Sequence, residues 1–61
     1  MKIYQAQVVR FSEYGISVWK GELFKDYNKA EEDMKDIMDK NASTFPQDEQ
    51  KGVVALIFVE E

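Results

Sequence analysis

The chain has 61 residues, no Cys, no His and a formal net charge of −4 at pH 7. A chain of this length forms one small domain that buries only about 60% of its unfolded surface. Without Cys or His, neither disulfides nor a zinc site is expected to add stability, so good packing or a partner chain must do so. The net negative charge argues against direct binding to nucleic acid or anionic membranes.

A first β-strand is predicted over about residues 1–11, where polar residues alternate with β-forming ones. The alternation slips once, because Tyr4 falls on the face of Val8 whereas Val9 falls on the opposite one. Either both faces of this strand are partly buried, or a β-bulge near Val8 and Val9 shifts the register.

A turn over residues 12–15, with Gly15 at positive φ, joins this strand to a second one over about residues 14–23. One set of alternate positions in the second strand is mainly apolar, and we expect it to face the core. Trp19 belongs to the other set and is expected on the opposite face of the sheet. The apolar set consists of Tyr14, Ile16 and Val18.

An amphipathic helix is predicted over about residues 28–41. Asn28, followed three residues later by Glu31, is the preferred N-cap in a capping box, and Asp26 is the alternative cap. Asn41 can take the left-handed conformation that ends a helix. At about 100° per residue, one narrow stripe of apolar residues is expected to face the sheet. The stripe consists of Tyr27, Ala30, Met34, Ile37 and Met38.

A loop is predicted over residues 42–52, and we expect Phe45 to anchor it to the domain. A third strand is predicted over about residues 52–60. The segment 53–59 is apolar at every position, which is typical of a strand buried on both faces. The elements together predict an α+β fold: a single β-β-α-β domain over residues 1–61, with a three-stranded, mainly antiparallel sheet and one helix on one face. A right-handed crossover favours the strand order 2-1-3, and 1-2-3 is the alternative.

The third strand needs cover, because in the preferred order it lies at an edge of the sheet. A second copy of the chain, a different protein, or the loop around Phe45 could supply that cover. We expect the uncovered sheet face and this strand to bind a partner; the alternative is that the apolar residues pack among themselves beneath Lys and Arg stems. The predicted members of this surface are Tyr4, Trp19, Val54, Leu56 and Phe58.

The outer side of the predicted helix is acidic, and its members are Glu32, Asp33, Asp36 and Asp39. Such a row can imitate phosphates and occupy the basic groove of a nucleic-acid-handling protein. The alternative, which we favour, is a solvated surface balanced by two i,i+4 pairs, Glu31 with Lys35 and Asp36 with Lys40.

No catalytic, cofactor-binding or metal site is predicted. No Cys or His is present to act as nucleophile or base, the glycines are too scattered for a phosphate loop, and carboxylates along one straight helix face diverge. We therefore predict a non-enzymatic protein-interaction module, an adaptor or inhibitor that occupies a partner's surface. The alternative is a structural homo-oligomer subunit that pairs through its third strand.

The predicted partner is a protein, either a second copy in a homodimer or a different chain, with no direct nucleic-acid or membrane ligand. No segment approaches the ~20 apolar residues of a transmembrane helix. The first residues also lack the pattern of a signal peptide. A cytoplasmic location is therefore predicted.

Overall fold

The computed structural model of the chain describes residues 1–59, so the predicted end of the third strand at residue 60 lies outside the described range. Its elements follow in the order β1 (Lys2–Ser12), β2 (Gly15–Phe24), α1 (Tyr27–Thr44) and β3 (Glu49–Val59). The three strands form one sheet in the order β2-β1-β3, and β1 is antiparallel to both neighbours. The predicted α+β class, the β-β-α-β order and the strand order 2-1-3 are confirmed.

The β1–β2 hairpin closes through a tight turn at Glu13 and Tyr14, with Ser12 paired to Gly15. The Ser12 hydroxyl donates to the Gly15 carbonyl at 3.0 Å and accepts the Tyr14 N–H at 3.2 Å. Gly15 has φ 137°, as expected from the sequence. Only glycine adopts this backbone conformation at little cost, which explains its position at the end of the turn.

Two register shifts interrupt the sheet. β2 has an extra residue at Gly21–Glu22, opposite Ala6, and β3 has an extra residue at Ile57. Val8 and Val9 pair regularly with β2, so the alternative of a β-bulge at these two residues is wrong. Bulges bend and twist a strand locally, and the one in β2 lies beneath the helix.

The helix covers the sheet face that carries Ala6 and Val8, both fully buried. Directly paired residues of an antiparallel sheet project to the same side. Trp19 is paired with Val8 and therefore lies on this side, which we call the helix face. The expectation that Trp19 projects away from the helix was wrong. The set expected in the core lies on the other side, where Ile16 is 67% and Val18 is 55% exposed.

Two glycines explain why this face, and not the other, lies under the helix. A Cβ at Gly52 would come within 2.7 to 2.8 Å of side-chain atoms of Met34 and Met38. A Cβ at Gly21 would collide with the Asp33 carboxylate. Because the helix lies so closely on the sheet, the bulky alternate residues of β2 do not fit beneath it. The alternation of apolar residues in the sequence does not show how little space lies beneath the helix.

The helix begins after Asp26, whose carboxylate accepts the Asn28 N–H at 2.9 Å. The alternative cap is therefore the actual one, and Asn28 lies in the first turn. At its other end the helix continues past Asn41 to Thr44, and Asn41 is buried within it at 8% exposure. The Phe45 N–H then donates to the Asn41 carbonyl at 2.6 Å. The predicted loop is thus confined to residues 45–48.

The molecule is thin and elongated, with extents of 43 × 19 × 12 Å and a radius of gyration of 12.5 Å. A chain of this length is expected to have a radius of gyration of about 10.5 Å. Its accessible surface is 4600 Å², against about 4,100 Å² expected for a monomer of this mass. Within the described residues, only three hydrophobic side chains are fully buried, those of Ala6, Val8 and Ala30. The fold therefore exposes about 500 Å² more surface than a typical monomer of its size.

Candidate protein-interaction surface

The sheet side opposite the helix, which we call the open face, presents a large set of exposed apolar side chains. The strand register places on it Ile3, Val9, Phe11, Ile16, Val18, Leu23, Val53, Ala55 and Phe58. Five of these are more than half exposed: Ile16 67%, Val18 55%, Leu23 60%, Val53 56% and Phe58 53%. Exposed apolar groups gathered on one face are a feature of interaction sites.

Polar residues divide the open face into two apolar regions. Lys20 and Gln7 are paired across β2 and β1, and the Gln7 amide donates to the Gln5 side chain at 3.3 Å. Lys51 and Glu49 continue this polar band on β3, toward the hairpin end. The first apolar region, the hairpin cluster, consists of Val9, Phe11, Ile16 and Val18. The second, the terminal cluster, consists of Ile3, Val53, Ala55 and Phe58. A partner must match two apolar patches separated by hydrogen-bonding groups.

The predicted apolar surface is distributed over both sides of the sheet. Of its five members only Phe58, paired with Ile3, lies on the open face. Tyr4 packs edge-on against Tyr27 beneath the helix, with ring centroids 5.5 Å apart. Leu56 is paired with Tyr4 on the helix side but remains 51% exposed. The remaining two, Trp19 and Val54, are paired with the buried residues Val8 and Ala6 on the helix face. Their predicted role in binding a partner stays a prediction.

Sequence reasoning missed the β2 members of the open face, Ile16, Val18 and Leu23. These residues are the bulkiest alternate set in β2, which is why two of them were expected in the core. The signal that identifies the correct side is the glycine at position 21, which belongs to the face of Trp19. A glycine inside a strand often marks a close backbone approach.

Within the single chain the apolar end of the third strand is not covered, because its last four described residues are each about half exposed. The values are 51% for Leu56, 45% for Ile57, 53% for Phe58 and 49% for Val59. The strand is an edge strand, and the helix packs over its earlier part, where Gly52 lies beneath Met34 and Met38. The apolar end of β3 is therefore available for contact.

The acidic residues of the helix, Glu32, Asp33, Asp36 and Asp39, form a second surface that we call the acidic flank. Asp33 does not point freely into solvent, because it accepts the Glu22 N–H of β2 at 3.2 Å. The other three are exposed. A shallow groove of about 280 Å³ follows this side of the helix and is lined by Phe24, Lys29, Glu32, Asp33 and Asp36. The acidic flank therefore faces outward and toward β2.

Of the two predicted i,i+4 pairs, only the first forms within the described residues. Lys35 lies 3.4 Å from Glu31, whereas Asp36 and Lys40 make no ion pair. Asp33 faces β2, so at about 100° per residue Glu31 and Lys35 fall on the opposite flank, toward β3. The helix is consequently charge-compensated on its β3 side, whereas its outer and β2 sides carry the carboxylates of the acidic flank together with Lys29.

Arg10 holds the 45–48 loop against the sheet, a role that sequence reasoning missed. Its guanidinium lies 2.7 Å from the Asp48 carboxylate, and the two side chains are only 16% and 10% exposed. It also stacks 3.6 Å from the Phe45 ring centroid and lies 5.5 Å from that of Trp19. Cation–π contacts of this kind add to a desolvated ion pair. The predicted anchoring of the loop by Phe45 thus works through Arg10.

An open cleft of about 620 Å³ lies beside this ion pair, between the hairpin turn and the 45–48 loop. Its walls include Phe11, Tyr14, Glu13 and Glu49. Tyr14 is 92% exposed at its mouth. Because Phe11 also belongs to the hairpin cluster, the cleft extends the open face around the end of the sheet.

No protein-family model matches the chain, and neither a curated protein nor a solved structure matches it. Within residues 1–59, no helix is long and apolar enough to cross a membrane. The same residues bring together no group of three or more Asp or Glu side chains that could hold a metal ion. The open face, the β3 edge and the acidic flank are thus the features from which a function can be inferred.

Proposed function

We propose that the protein is a non-enzymatic interaction module, an adaptor or inhibitor that works by covering part of a partner protein with its open face. The observation that carries this proposal is the exposure of five large apolar side chains on one side of the sheet. Complete burial of such a side chain stabilises by about 1.5–3 kcal/mol. Each is already about half covered, so burying all five would contribute about 4–8 kcal/mol before the cost of association.

That contribution is large for this chain. At about 0.05–0.15 kcal/mol per residue, a domain of this length has a total stability of about 3–9 kcal/mol. Covering the open face therefore changes the free energy of the module by an amount comparable to its whole stability. The two apolar clusters and the polar band between them define the partner's chemistry. The partner must present a protein surface with two apolar patches and hydrogen-bonding groups between them.

Affinity capture from the native cell with three matched baits tests this proposal. Val18→Lys places a charge in the hairpin cluster, and Ala42→Lys adds the same charge at an exposed helix position that is not part of the open face. The proposal predicts that a partner captured by the wild type is lost with Val18→Lys and kept with Ala42→Lys. Equal capture by all three baits would contradict it.

The acidic flank supports a second candidate function, in which it enters the basic groove of a nucleic-acid-handling protein. The observation that favours this candidate is the joint exposure of Glu32, Asp36 and Asp39 on the outer side of one helix. Electrostatic recognition of this kind depends on salt, because exposed charges are screened over about 10 Å at 0.1 M ionic strength. Contact through the open face depends far less on salt, so a salt titration of the captured complex separates the two candidates.

A further inference from the structure

The two edges of the sheet differ in their protection against further strand pairing. The β2 edge carries Lys20 and Glu22 and is interrupted by the bulge at Gly21–Glu22. Charged residues and bulges are the devices by which natural sheets block their edges. β3 carries Glu49 and Lys51 near its start, but it has neither a charged residue nor a proline between Gly52 and Val59. Its only irregularity in that stretch is the bulge at Ile57, so the preceding part forms an unblocked edge.

We propose that a second copy of this chain pairs with β3, antiparallel and about a two-fold axis, to form one sheet of six strands in the order 2-1-3-3-1-2. Antiparallel pairing of a strand with its own copy is isologous, so the assembly closes at two chains. Both outer edges are then β2 strands, which are the protected ones. Pairing at β3 thus removes the unprotected edge of each chain and creates no new one.

The charge distribution favours this edge for contact between like-charged copies. Each chain carries a formal net charge of −4, and contact between the acidic flanks would bring like charges together. On the β3 side of the helix, Glu31 is compensated by Lys35 at 3.4 Å. Two copies that meet at β3 therefore keep the groove beside β2, which Glu32, Asp33 and Asp36 line together with Lys29, at the two far ends of the joined sheet. This separation reduces the repulsion between the two acidic flanks.

The end of β3 offers apolar contact area to a second copy. The half-exposed side chains of Leu56, Ile57 and Phe58 lie along this edge and supply apolar contact area.

This pairing goes beyond the proposed function, because it uses the edge of the sheet and leaves both open faces free. Joining two chains at β3 places the two terminal clusters side by side on the same side of the six-stranded sheet. A partner would then meet an apolar surface twice as wide as that of one chain.

Sedimentation equilibrium across the micromolar range, together with amide hydrogen exchange, tests the proposal. Val53→Lys and Val18→Lys are matched variants, since both valines lie on the open face and are 56% and 55% exposed, but only Val53 is in β3. The wild type should reach twice 7.1 kDa. Val53→Lys should raise the dimer dissociation constant at least about tenfold, because the two-fold axis repeats the change, and Val18→Lys should change it less than about twofold. Amides of β3, and not those of β2, should gain protection as concentration rises.

A wild type that stays at 7.1 kDa at every concentration would overturn self-pairing. It would leave the proposed function standing, since the capture experiment reads the open face independently. Equal weakening by both variants without protection of β3 amides would instead mean that copies pack face to face, which also overturns pairing along the edge. Circular dichroism of each variant verifies that the fold is retained.

Discussion

Removing the Asp48 carboxylate tests how the loop after the helix is held to the sheet. Asp48→Ala leaves the Arg10 guanidinium, whose side chain is only 16% exposed, without its anionic partner. Breaking a fully buried ion pair costs about 3–5 kcal/mol. Because both side chains keep some contact with water, we expect about 2–4 kcal/mol here. The Phe45 ring 3.6 Å from the guanidinium remains, but it cannot replace the carboxylate's charge.

For a chain whose total stability is about 3–9 kcal/mol, this loss is severe. Each kcal/mol shifts the midpoint of thermal unfolding by about 4–8 °C in domains of this size, so Asp48→Ala should lower it by about 8–32 °C. Urea unfolding at a fixed protein concentration measures the same loss as a free energy.

Glu31→Ala is the matched control, because it removes the carboxylate from the exposed ion pair with Lys35. The two side chains of that pair are 38% and 66% exposed, and its loss should cost no more than about 0.5 kcal/mol. If Asp48→Ala were as mild as Glu31→Ala, the ion pair would not hold the loop, and the account of Arg10 would be wrong.

Three further predictions follow from the turn, the helix cap and the acidic flank. Gly15→Ala should cost about 1–2 kcal/mol in urea unfolding; nothing lies within 4 Å of the added Cβ, so the loss reports only the backbone conformation at φ 137°. Asp26→Ala should cost about 1 kcal/mol whereas Asn28→Ala should cost less than about 0.5 kcal/mol, and the reverse order would mean that the helix starts at Asn28. Reversal of Glu32, Asp36 and Asp39 to Lys should abolish salt-dependent binding of a nucleic-acid-handling partner, and unchanged affinity and salt dependence would rule out phosphate imitation by the acidic flank.

The element order and topology are predictable from this sequence because each depends on local periodicity or on a general rule of connection. Two alternating segments joined by a turn at Gly15 make a hairpin. The amphipathic segment between that hairpin and the apolar run at 53–59 makes a crossover, whose preferred hand selects the order 2-1-3. These signals act within a few residues or apply to nearly every sheet.

The orientation of the sheet could not be predicted in the same way, because it depends on the space under the helix. The alternate set of β2 residues that contains Ile16 and Val18 is more apolar than the set that contains Trp19. The helix nevertheless packs on the face of Trp19, because its close approach to the sheet requires glycine at positions 21 and 52. Helix ends were uncertain for a related reason. Asn41 has the chemistry of a helix end but is buried within the helix, which continues to Thr44.

Because Ile16 and Val18 were expected to face the helix, the predicted binding surface contains Phe58 but not Ile16, Val18 or Leu23. The exposure of Glu32, Asp36 and Asp39 was predictable because it depends only on helical periodicity. The contact of Asp33 with the Glu22 N–H was not foreseen, since it arises from the bulge in β2.

The open face is the surface that a partner protein should cover. Methyl NMR of the chain, with and without the partner captured by the wild type, measures this most directly. The methyl signals of Ile16, Val18 and Val53 should shift or broaden on binding, while that of Ala42, at an exposed helix position, should not. Changes confined to helix methyls, with the three open-face residues unaffected, would contradict it.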